Sequence, residues 1–464
     1  MRAAAPASFP HAARLARLGR MVLLFVLAVS LVARPASAQS ILRDAETEAL
    51  FAEASRSIIE AAGLQPGNVD IVLIQDKEIN AFVAGGQIVY IHSGLIAAAD
   101  NVNELQGVIA HELGHITGGH VVRFSEGAKA ATGISIISLI LGAAAMAAGA
   151  GEAGAGILAA GQQAAMGRFL AFSRTQESSA DQAGASFLHK AGISGKGSIA
   201  FFKKLQAQEF RLYIPQDNGY ARTHPLTGER ISVLQHMYEN DPAWNKPTDA
   251  ALEAKFQRVK AKLSGFVEDP PITLRKYPES DQSVPALYAR AYAWHRGAYP
   301  DKAVEETDKL VATAPHDPYF LELKGQILLE SGRPKDALVP LREAVQRSNY
   351  QPLIASLFGH ALIATEDPAN FDEARKVLRT AVQRDNQNPF AWYQLGIVYA
   401  HEGDQARASL ATAERYNLTG QSRLALVSAE AAMRGIPQGT PDYLRAQDIA
   451  MVSRTEVDEE RRKK

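Results

Sequence analysis

The stretch VNELQGVIAHELGHITGGHVV, residues 102–122, is predicted to be a helix and contains three histidines within ten positions. His111 and His115 are four residues apart, so on a helix both imidazoles lie on one face and can hold one metal ion. Glu112 follows His111 directly, which is the place of the general base in an H-E-x-x-H motif. Apolar residues before and inside the motif favour a packed active-site helix over a solvated one.

A catalytic zinc site usually has three protein ligands and one position for water, so a third ligand is needed. His120 is one candidate, because metzincins have the pattern H-E-x-x-H-x-x-G-x-x-H and Gly118 stands where that glycine does. The last histidine of the pattern would be residue 121, which is Val121. Because one position turns a side chain by about 100° around a helix, we expect His120 to be a polar residue after the active-site helix.

The second candidate lies in SRTQESSAD (173–181), inside a predicted helix over 173–192. Glu177 and Asp181 are four residues apart and share a helix face. Glu177 can bind the metal, while Asp181 can accept the N–H of a ligand histidine. A sequence E-x-x-x-D downstream of H-E-x-x-H is the gluzincin arrangement, and the nearby Ser173-Arg174 and Ala180 strengthen this interpretation.

These motifs, together with RTHPL (222–226), resemble the gluzincin metallopeptidases that include the heat-shock protease HtpX and the CAAX prenyl protease. Residues 1–38, which have the pattern of an export signal, and tetratricopeptide-like repeats over 285–451 make the chain most similar to their periplasmic BepA type. The resemblance covers 40–235 through motifs and 285–450 through architecture. It implies one zinc ion per chain, with the following assignment: ligands His111, His115 and Glu177, general base Glu112, and Asp181 as support for a ligand histidine. Ser178-Ser179 depart from the charged residue and Glu of many relatives, which leaves the ligands in place.

His224 precedes a proline in ARTHPLTGERI (221–231). A single histidine before proline is more often a loop residue than a ligand. The resemblance implies instead a regulatory or a transition-state role. His224 either closes over the zinc as an extra ligand and silences it, or stabilises the oxyanion once it is displaced; both alternatives stay open.

The reaction expected of this site is hydrolysis of a peptide bond. Zinc supplies a water of lowered pKa and polarises the carbonyl, and Glu112 takes the proton of that water and passes it to the leaving amine. The substrate must lie extended. The strand QIVYIH (87–92), with Val89 and Tyr90, is the predicted edge for it, and Asn80 is expected near this edge.

Residues 39–265 are predicted to form the peptidase domain, mainly α with a small sheet. Helical spacing extends over 41–63, a strand is predicted over 70–75, and a hairpin is predicted over 79–96 around Gly85-Gly86. Residues 131–172 are rich in alanine and glycine. For them we predict two helices that pack on the catalytic domain or touch a membrane surface.

An all-α solenoid is predicted over 285–451, because the sequence repeats there. Ala303, Ala337, Ala374 and Ala408 occupy equivalent positions and are separated by 34, 37 and 34 residues. A period of about 34 residues is the signature of tetratricopeptide repeats, and the three extra residues fall within 364–374. Residues 266–284 are a predicted linker, and residues 452–464 a predicted charged tail.

The N-terminus and the overall charge limit the function classes. Residues 1–38 have basic residues, an apolar run and Ala36-Ser37-Ala38, as a signal peptide does, so we expect a periplasmic protein. They contain five arginines and no acidic residue, and the rest has 44 basic and 50 acidic side chains, which does not indicate nucleic acid as a partner. The chain has no cysteine, so its stability does not come from disulfides.

The leading hypothesis is a zinc endopeptidase that cleaves, and also chaperones, misfolded or stalled outer-membrane proteins. Its repeats would recruit these clients or their assembly machinery. The alternative is a chaperone or scaffold that binds clients through the repeats while the zinc site stays largely latent. All residues that the chemistry needs are present, which favours the enzyme.

Overall fold

The computed structural model describes residues 40–147, 151–211, 224 and 228–462. The predicted signal peptide lies outside these residues. Residues 41–464 belong to one compact unit. In agreement with the sequence analysis, this unit is mainly helical with one small sheet.

The peptidase half combines the sheet with long helices. Its strands are β1 (Ser40–Leu42), β2 (Asp70–Gln75), β3 (Ala81–Ala84) and β4 (Ile88–His92). Its helices are α1 (Ala45–Ala61), α2 (Ser93–Ala98), α3 (Val102–Thr117), α4 (His120–Ala147), α5 (Gly151–Ala191), α6 (Lys196–Arg211) and α7 (Gly228–Glu239).

The strand order in the sheet is β1-β2-β4-β3. The predicted hairpin is confirmed, since β3 and β4 pair antiparallel around Gly85-Gly86. On its other side β4 pairs parallel with β2, from Asp70 opposite Ile88 to Ile74 opposite His92. The prediction that 87–92 is an edge strand is therefore wrong, because β4 has a hydrogen-bonded neighbour on both sides.

Helix α3 is the central helix of the peptidase half. All its residues from Val102 to His115 are buried, and its apolar side chains join a core with those of α1, β4 and α6. The single helix predicted over 102–122 is wrong at its end. Helix α3 stops at Thr117, Gly119 takes a φ of 63°, and α4 begins at His120. A left-handed residue cannot continue a helix, so the chain changes direction there.

Helices α4 and α5 pack antiparallel and contain residues 131–147 and 151–172. The prediction of two helices is confirmed, but over most of their length they pack on each other and not on the catalytic domain. Many apolar side chains of α4 are exposed as a result. The predicted helix over 173–192 is the last part of α5, which stops before Gly192, at a φ of 63°.

The second half is a stack of helices. These are α8 (Ala250–Val267), α9 (Pro270–Lys276), α10 (Val284–Arg296), α11 (Pro300–Thr313), α12 (Pro318–Glu330), α13 (Pro334–Arg347), α14 (Pro352–Ala364), α15 (Phe371–Arg384), α16 (Pro389–His401), α17 (Gln405–Leu418), α18 (Ser422–Gly435) and α19 (Pro441–Arg462). From α10 to α17 they form successive pairs, as tetratricopeptide repeats do. A short 3-10 turn, Pro368–Asn370, accommodates the extra residues between α14 and α15.

Two predictions at the borders of the repeats need correction. The predicted linker 266–284 contains α9, and α8 packs directly against α10, so this segment is not a spacer between separate bodies. The predicted charged tail is helical up to Arg462, and α19 buries Ser453 and Val457. Two buried positions four residues apart are enough to dock the helix, although most neighbouring side chains are charged.

Buried polar contacts connect the peptidase half to the repeats. Glu46 of α1 accepts a hydrogen bond from the Tyr288 hydroxyl of α10 at 2.6 Å. Arg258 of α8 contacts Glu46 at 2.6 Å and Asp317, the residue before α12, at 2.9 Å. Because a buried ion pair needs well-defined geometry, these contacts fix the repeats relative to the catalytic helices.

Candidate metal centre

The close packing of α3 on α5 assembles the site. A Cβ atom on Gly114 would lie 2.5 Å from the carbonyl oxygen of Ala180, so only glycine permits this approach. Gly184 of α5 packs in the same way against Ala110 of α3. This contact brings Glu177 and Asp181, which are far along the chain, next to the histidines of the H-E-x-x-H motif.

The donor atoms of four side chains lie close together around one position. This donor cluster consists of His111, His115, Glu177 and His224, all buried, with ligand atoms within 4.8 Å of one another. His111 Nε2 lies 3.1 Å from His115 Nε2 and 3.3 Å from His224 Nδ1. The Glu177 carboxylate lies 3.4 Å from each of the first two nitrogens and 3.1 Å from His224 Nδ1.

These distances fit a tetrahedral metal ion. Bonds of about 2.0–2.1 Å, as in zinc sites, place the four donor atoms about 3.3–3.4 Å apart. The sequence-predicted ligands His111, His115 and Glu177 therefore come together as expected. His224 Nδ1 lies in the same group of atoms, so it could take the fourth position, which a catalytic site leaves to water.

Charged groups behind the donor cluster orient it. Asp181 Oδ1 lies 2.9 Å from His111 Nδ1, so this carboxylate fixes the ring with Nε2 toward the cluster. Arg230 of α7 holds Asp181 with two hydrogen bonds, at 2.7 and 2.8 Å, and contacts Glu177 at 3.1 Å. Arg230 was not among the residues predicted from the sequence. In the sequence, its closeness to His224, six residues earlier, could have suggested that Arg230 lies near the metal site. This spacing alone does not identify Asp181, on another helix, as its partner.

His120 supports the second ligand histidine. Its Nδ1 lies 2.9 Å from His115 Nδ1, and its side chain is buried. A Cβ atom on Gly118 would lie 2.3 Å from His120 Nε2, so the glycine makes room for this ring. His120 is not one of the donor residues of the cluster. It follows the end of helix α3, and the glycine turn directs its ring to Nδ1 of His115, the nitrogen that is not in the donor cluster.

Glu112 is placed for proton transfer. It is 0% exposed, and neither of its carboxylate oxygens has a hydrogen-bond partner among the described residues. Its Oε1 lies 3.5 Å from His224 Nε2, at the border of the donor cluster. Burial raises the pKa of Glu112, which makes the carboxylate a stronger base. A buried carboxylate without a partner is costly, and a water held at the cluster would satisfy it.

The electrostatics of the cluster favour a cation at its centre. Burial lowers the pKa of His115, so this ring is neutral, the form that binds metals. For His111, burial acts in the same direction, but Asp181 and Glu177 outweigh it and raise the pKa to about 10. The two carboxylates therefore stabilise positive charge at this position, whether a proton or a metal ion supplies it.

A cleft of about 440 Å³ leads to the cluster. Phe82 and Val83 of β3 form one wall, and Phe169, Phe172 and Gln176 of α5 form another. The strand beside the metal centre is therefore β3, an edge of the sheet among the described residues, in place of the predicted 87–92.

The predicted substrate-binding residues Val89, Tyr90 and Asn80 do not line the cleft. Val89 is fully buried, and the Tyr90 ring stacks on Phe82 with 5.2 Å between ring centroids, so it supports the cleft wall from behind. Their assignment as substrate contacts on an edge strand is wrong, because β4 is an inner strand. Asn80 lies just before β3, and its carbonyl accepts a hydrogen bond from the His92 amide at 3.0 Å.

Metal analysis tests the ligand assignment. The chain from Gln39 onward is expected to bind about one zinc ion, and His111→Ala, His115→Ala and Glu177→Ala should each lose most of it. His120→Ala should keep the metal in excess zinc but bind it about 10–100-fold more weakly, since it loses the support of His115. A His120→Ala protein as empty as His111→Ala would make His120 a ligand and overturn the assignment.

A competition titration with a chelator tests Asp181. Asp181→Asn is expected to lower zinc affinity by about 10–100-fold, because the amide holds the His111 N–H and Arg230 less strongly than the carboxylate does. Asp241→Asn is a matched control, since Asp241 pairs with the exposed His189 at 2.6 Å, outside the donor cluster. Wild-type affinity in Asp181→Asn would reduce Asp181 to a structural residue.

The chain resembles known metallopeptidases. Residues 43–238 match peptidase family M48. The beta-barrel assembly-enhancing protease of Yersinia pestis is 26% identical over 359 residues, which cover 75% of this chain and 71% of that protein. Metalloprotease LoiP of Escherichia coli (strain K12) is 31% identical over 180 residues, covering 38% of this chain and 65% of that protein. The solved structure of YrrB, a TPR protein with an unusual peptide-binding site, covers 38% of this chain and 92% of its own at 21% identity and a TM-score of 0.31. The M48 match includes all four residues of the donor cluster.

Proposed function

We propose that this chain, which is a metalloprotease with a peptidase family M48 domain, is a zinc-dependent endopeptidase of the bacterial periplasm. Its clients would be misfolded or stalled outer-membrane proteins, which the repeats recruit. The observation that carries this proposal is the donor cluster, with the unpartnered carboxylate of Glu112 at its border. A relative named for beta-barrel assembly supports the choice of clients.

Each residue of the site has a role in the proposed reaction. His111, His115 and Glu177 would hold the zinc, which polarises the scissile carbonyl and lowers the pKa of a water molecule. Glu112 takes the proton of that water and delivers it to the leaving amine. Asp181, Arg230 and His120 keep the ligand rings and the carboxylate in position. The exposed edge of β3 would pair with an extended peptide, with Phe82 and Val83 against its side chains.

His224 is proposed to act as a cap. Its Nδ1 stands at the fourth corner of the donor cluster, where catalysis needs a water molecule. In this arrangement the enzyme rests in an inactive state, and His224 must leave the cluster before a substrate is cleaved. A client that binds better to the uncapped state would shift the equilibrium toward it.

The repeats supply a surface for clients. A pocket between α15, α16, α17 and α19 is lined by Trp392, Tyr399, Arg379, Arg407 and Arg445. Aromatic rings and guanidinium groups are the residue types that contribute most to protein interfaces. This surface also supports the second candidate function, a chaperone or scaffold that binds clients without cutting them.

Complementation in a bacterial strain that lacks the endogenous protein separates the two candidates. If proteolysis is the function, Glu112→Gln should fail to restore outer-membrane integrity even though the protein is folded and zinc-loaded. If client binding alone matters, Glu112→Gln should complement, and Arg379→Ala with Arg407→Ala, which changes two exposed residues of the same pocket, should not. Full complementation by Glu112→Gln would overturn the proposed protease function in favour of the scaffold.

A further inference from the structure

Helix α4 exposes many large apolar side chains that its packing on α5 does not bury. Helix α4 is long and apolar enough over His120–Met146 to cross a membrane by length and composition, and only 11% of its most apolar window is buried. Its side chains Ile137, Leu139, Ile140 and Leu141 are 54–62% exposed, a contiguous patch of the kind that marks an interaction site. We call residues 130–147 and 151–167 the apolar hairpin.

Small residues hold the two helices of the apolar hairpin together. A Cβ atom on Gly161 would lie 2.0 Å from the Cβ of Ser138, and one on Gly154 would lie 2.4 Å from Met146 Cγ. Small residues allow helices to pack closely, and Met146 is the large apolar side chain of α4 in these two contacts, whereas Ile136, Ile137, Ile140 and Leu141 stay exposed. The large side chains of α4 therefore remain available for another partner.

The arrangement of the exposed side chains favours lipid over a protein groove. At about 100° per residue, Ile136, Ile137, Ile140 and Leu141, with Leu139, cover about 200° of the surface of α4, and only the side of Ser138 faces α5. A protein groove typically contacts a narrower stripe of a helix. A fluid hydrocarbon layer can cover the whole exposed half-cylinder.

The apolar hairpin contains almost no charged residues, and the charged residues at its end nearer to the donor cluster are mostly basic. Between Lys129 and Arg168 the sequence contains a single charged residue, Glu152, at the tip. Lys129, Arg168, Arg123 and Arg174 are exposed on the part of the helices nearer to the donor cluster, where Glu126 is the acidic side chain among the exposed ones. An apolar surface next to basic residues is complementary to an anionic phospholipid layer.

We propose that the apolar hairpin binds the surface of an anionic phospholipid membrane through the exposed side of α4. It lies in the interface and does not cross the bilayer. The charge-free part of α4, residues 130–147, is about 27 Å long at 1.5 Å per residue, slightly short of the hydrocarbon core. Crossing would also require the carboxylate of Glu152 to pass through the hydrocarbon to the far side, which is costly.

Membrane binding would place the catalytic cleft next to the lipid. Helix α4 begins at His120, which supports His115, and α5 carries Glu177 of the donor cluster. The same two helices supply Val121, Phe169 and Phe172 to the wall of the cleft. A protein emerging from or stalled at the membrane surface would therefore meet the cleft without leaving that surface.

Co-sedimentation with vesicles tests the proposal. The chain from Gln39 onward is used, because the predicted signal peptide would itself bind lipid and residues 41–464 form one compact unit. It should sediment with vesicles of phosphatidylcholine and phosphatidylglycerol, and much less with phosphatidylcholine alone. The variant Ile137→Glu with Ile140→Glu should lose more than about ten-fold in partitioning. Lys129→Gln with Arg168→Gln should lose about five-fold per residue, and only on the anionic vesicles.

Matched controls exclude general effects of added charge. Val339→Glu and Val427→Glu change residues on the repeats that are 72% and 65% exposed, and both should sediment like the wild type. Circular dichroism and zinc content establish that every variant is folded, and neither readout depends on proteolysis. Wild-type sedimentation by Ile137→Glu with Ile140→Glu, or absence of wild-type binding to anionic vesicles, would overturn the proposal. So would a dimer in solution that the double variant dissociates, since a second copy would then cover this surface.

Discussion

Glu112→Gln is expected to keep its zinc and its fold and to lower the rate of peptide cleavage by about 10²–10⁴-fold, the usual contribution of a general base. The amide has the size of the carboxylate but cannot accept the proton of the attacking water. In the structure this carboxylate is fully buried and has no hydrogen-bond partner among the described residues. It is therefore not part of the scaffold, and its replacement should leave the scaffold intact.

Three measurements on purified protein test this result: zinc content, thermal unfolding and cleavage of casein. Glu126→Gln is a matched control, because Glu126 is an exposed glutamate on the following helix and should retain wild-type activity. Zinc content and melting temperature of Glu112→Gln should equal those of the wild type. Cleavage by Glu112→Gln at a tenth or more of the wild-type rate would remove Glu112 from the role of base.

His224→Ala is expected to keep zinc and to cleave casein about ten-fold or more faster than the wild type. If His224 occupies the fourth ligand position most of the time, the active fraction of the wild-type enzyme is small, and the observed rate is reduced by that fraction. Removing the imidazole opens the position to water in every molecule. His111, His115 and Glu177 remain as the three ligands of a catalytic site.

The alternative role of His224 predicts the opposite change. If the imidazole stabilises the oxyanion of the transition state, His224→Ala should lose about 10²–10³-fold in activity while it keeps zinc. His189→Ala is the control, since this exposed histidine pairs with Asp241 and lies outside the donor cluster. A slower His224→Ala enzyme would contradict the cap, and an unchanged one would contradict both roles.

Much of the metal centre could be predicted from local spacing. Residues four apart on a helix share a face whatever the surroundings, so His111 with His115, and Glu177 with Asp181, could be paired before the fold was known. Arg230 could not be found in this way. It reaches Asp181 from a third helix, and no periodicity connects residues on different helices.

The repeats were predictable for a related reason. Each unit contacts mainly its neighbours, so the period in the sequence determines the stack and even the position of the extra turn at Pro368–Asn370. The end of the array was not predictable by composition. Burial of Ser453 and Val457 depends on α18 being in place, and the charged residues around them by themselves predict a solvated tail.

The sequence by itself determined the chemical groups, the helices that carry them and the repeat architecture, because these follow from interactions between residues near in sequence. Only the tertiary structure decided that β3 and not β4 is the open edge, since the alternation of side chains along a strand does not identify its neighbours. It also decided the positions of His120 and His224 relative to the donor cluster. Both depend on where a turn places an imidazole relative to His111 and His115, and that position is set by packing between helices that are distant in the chain.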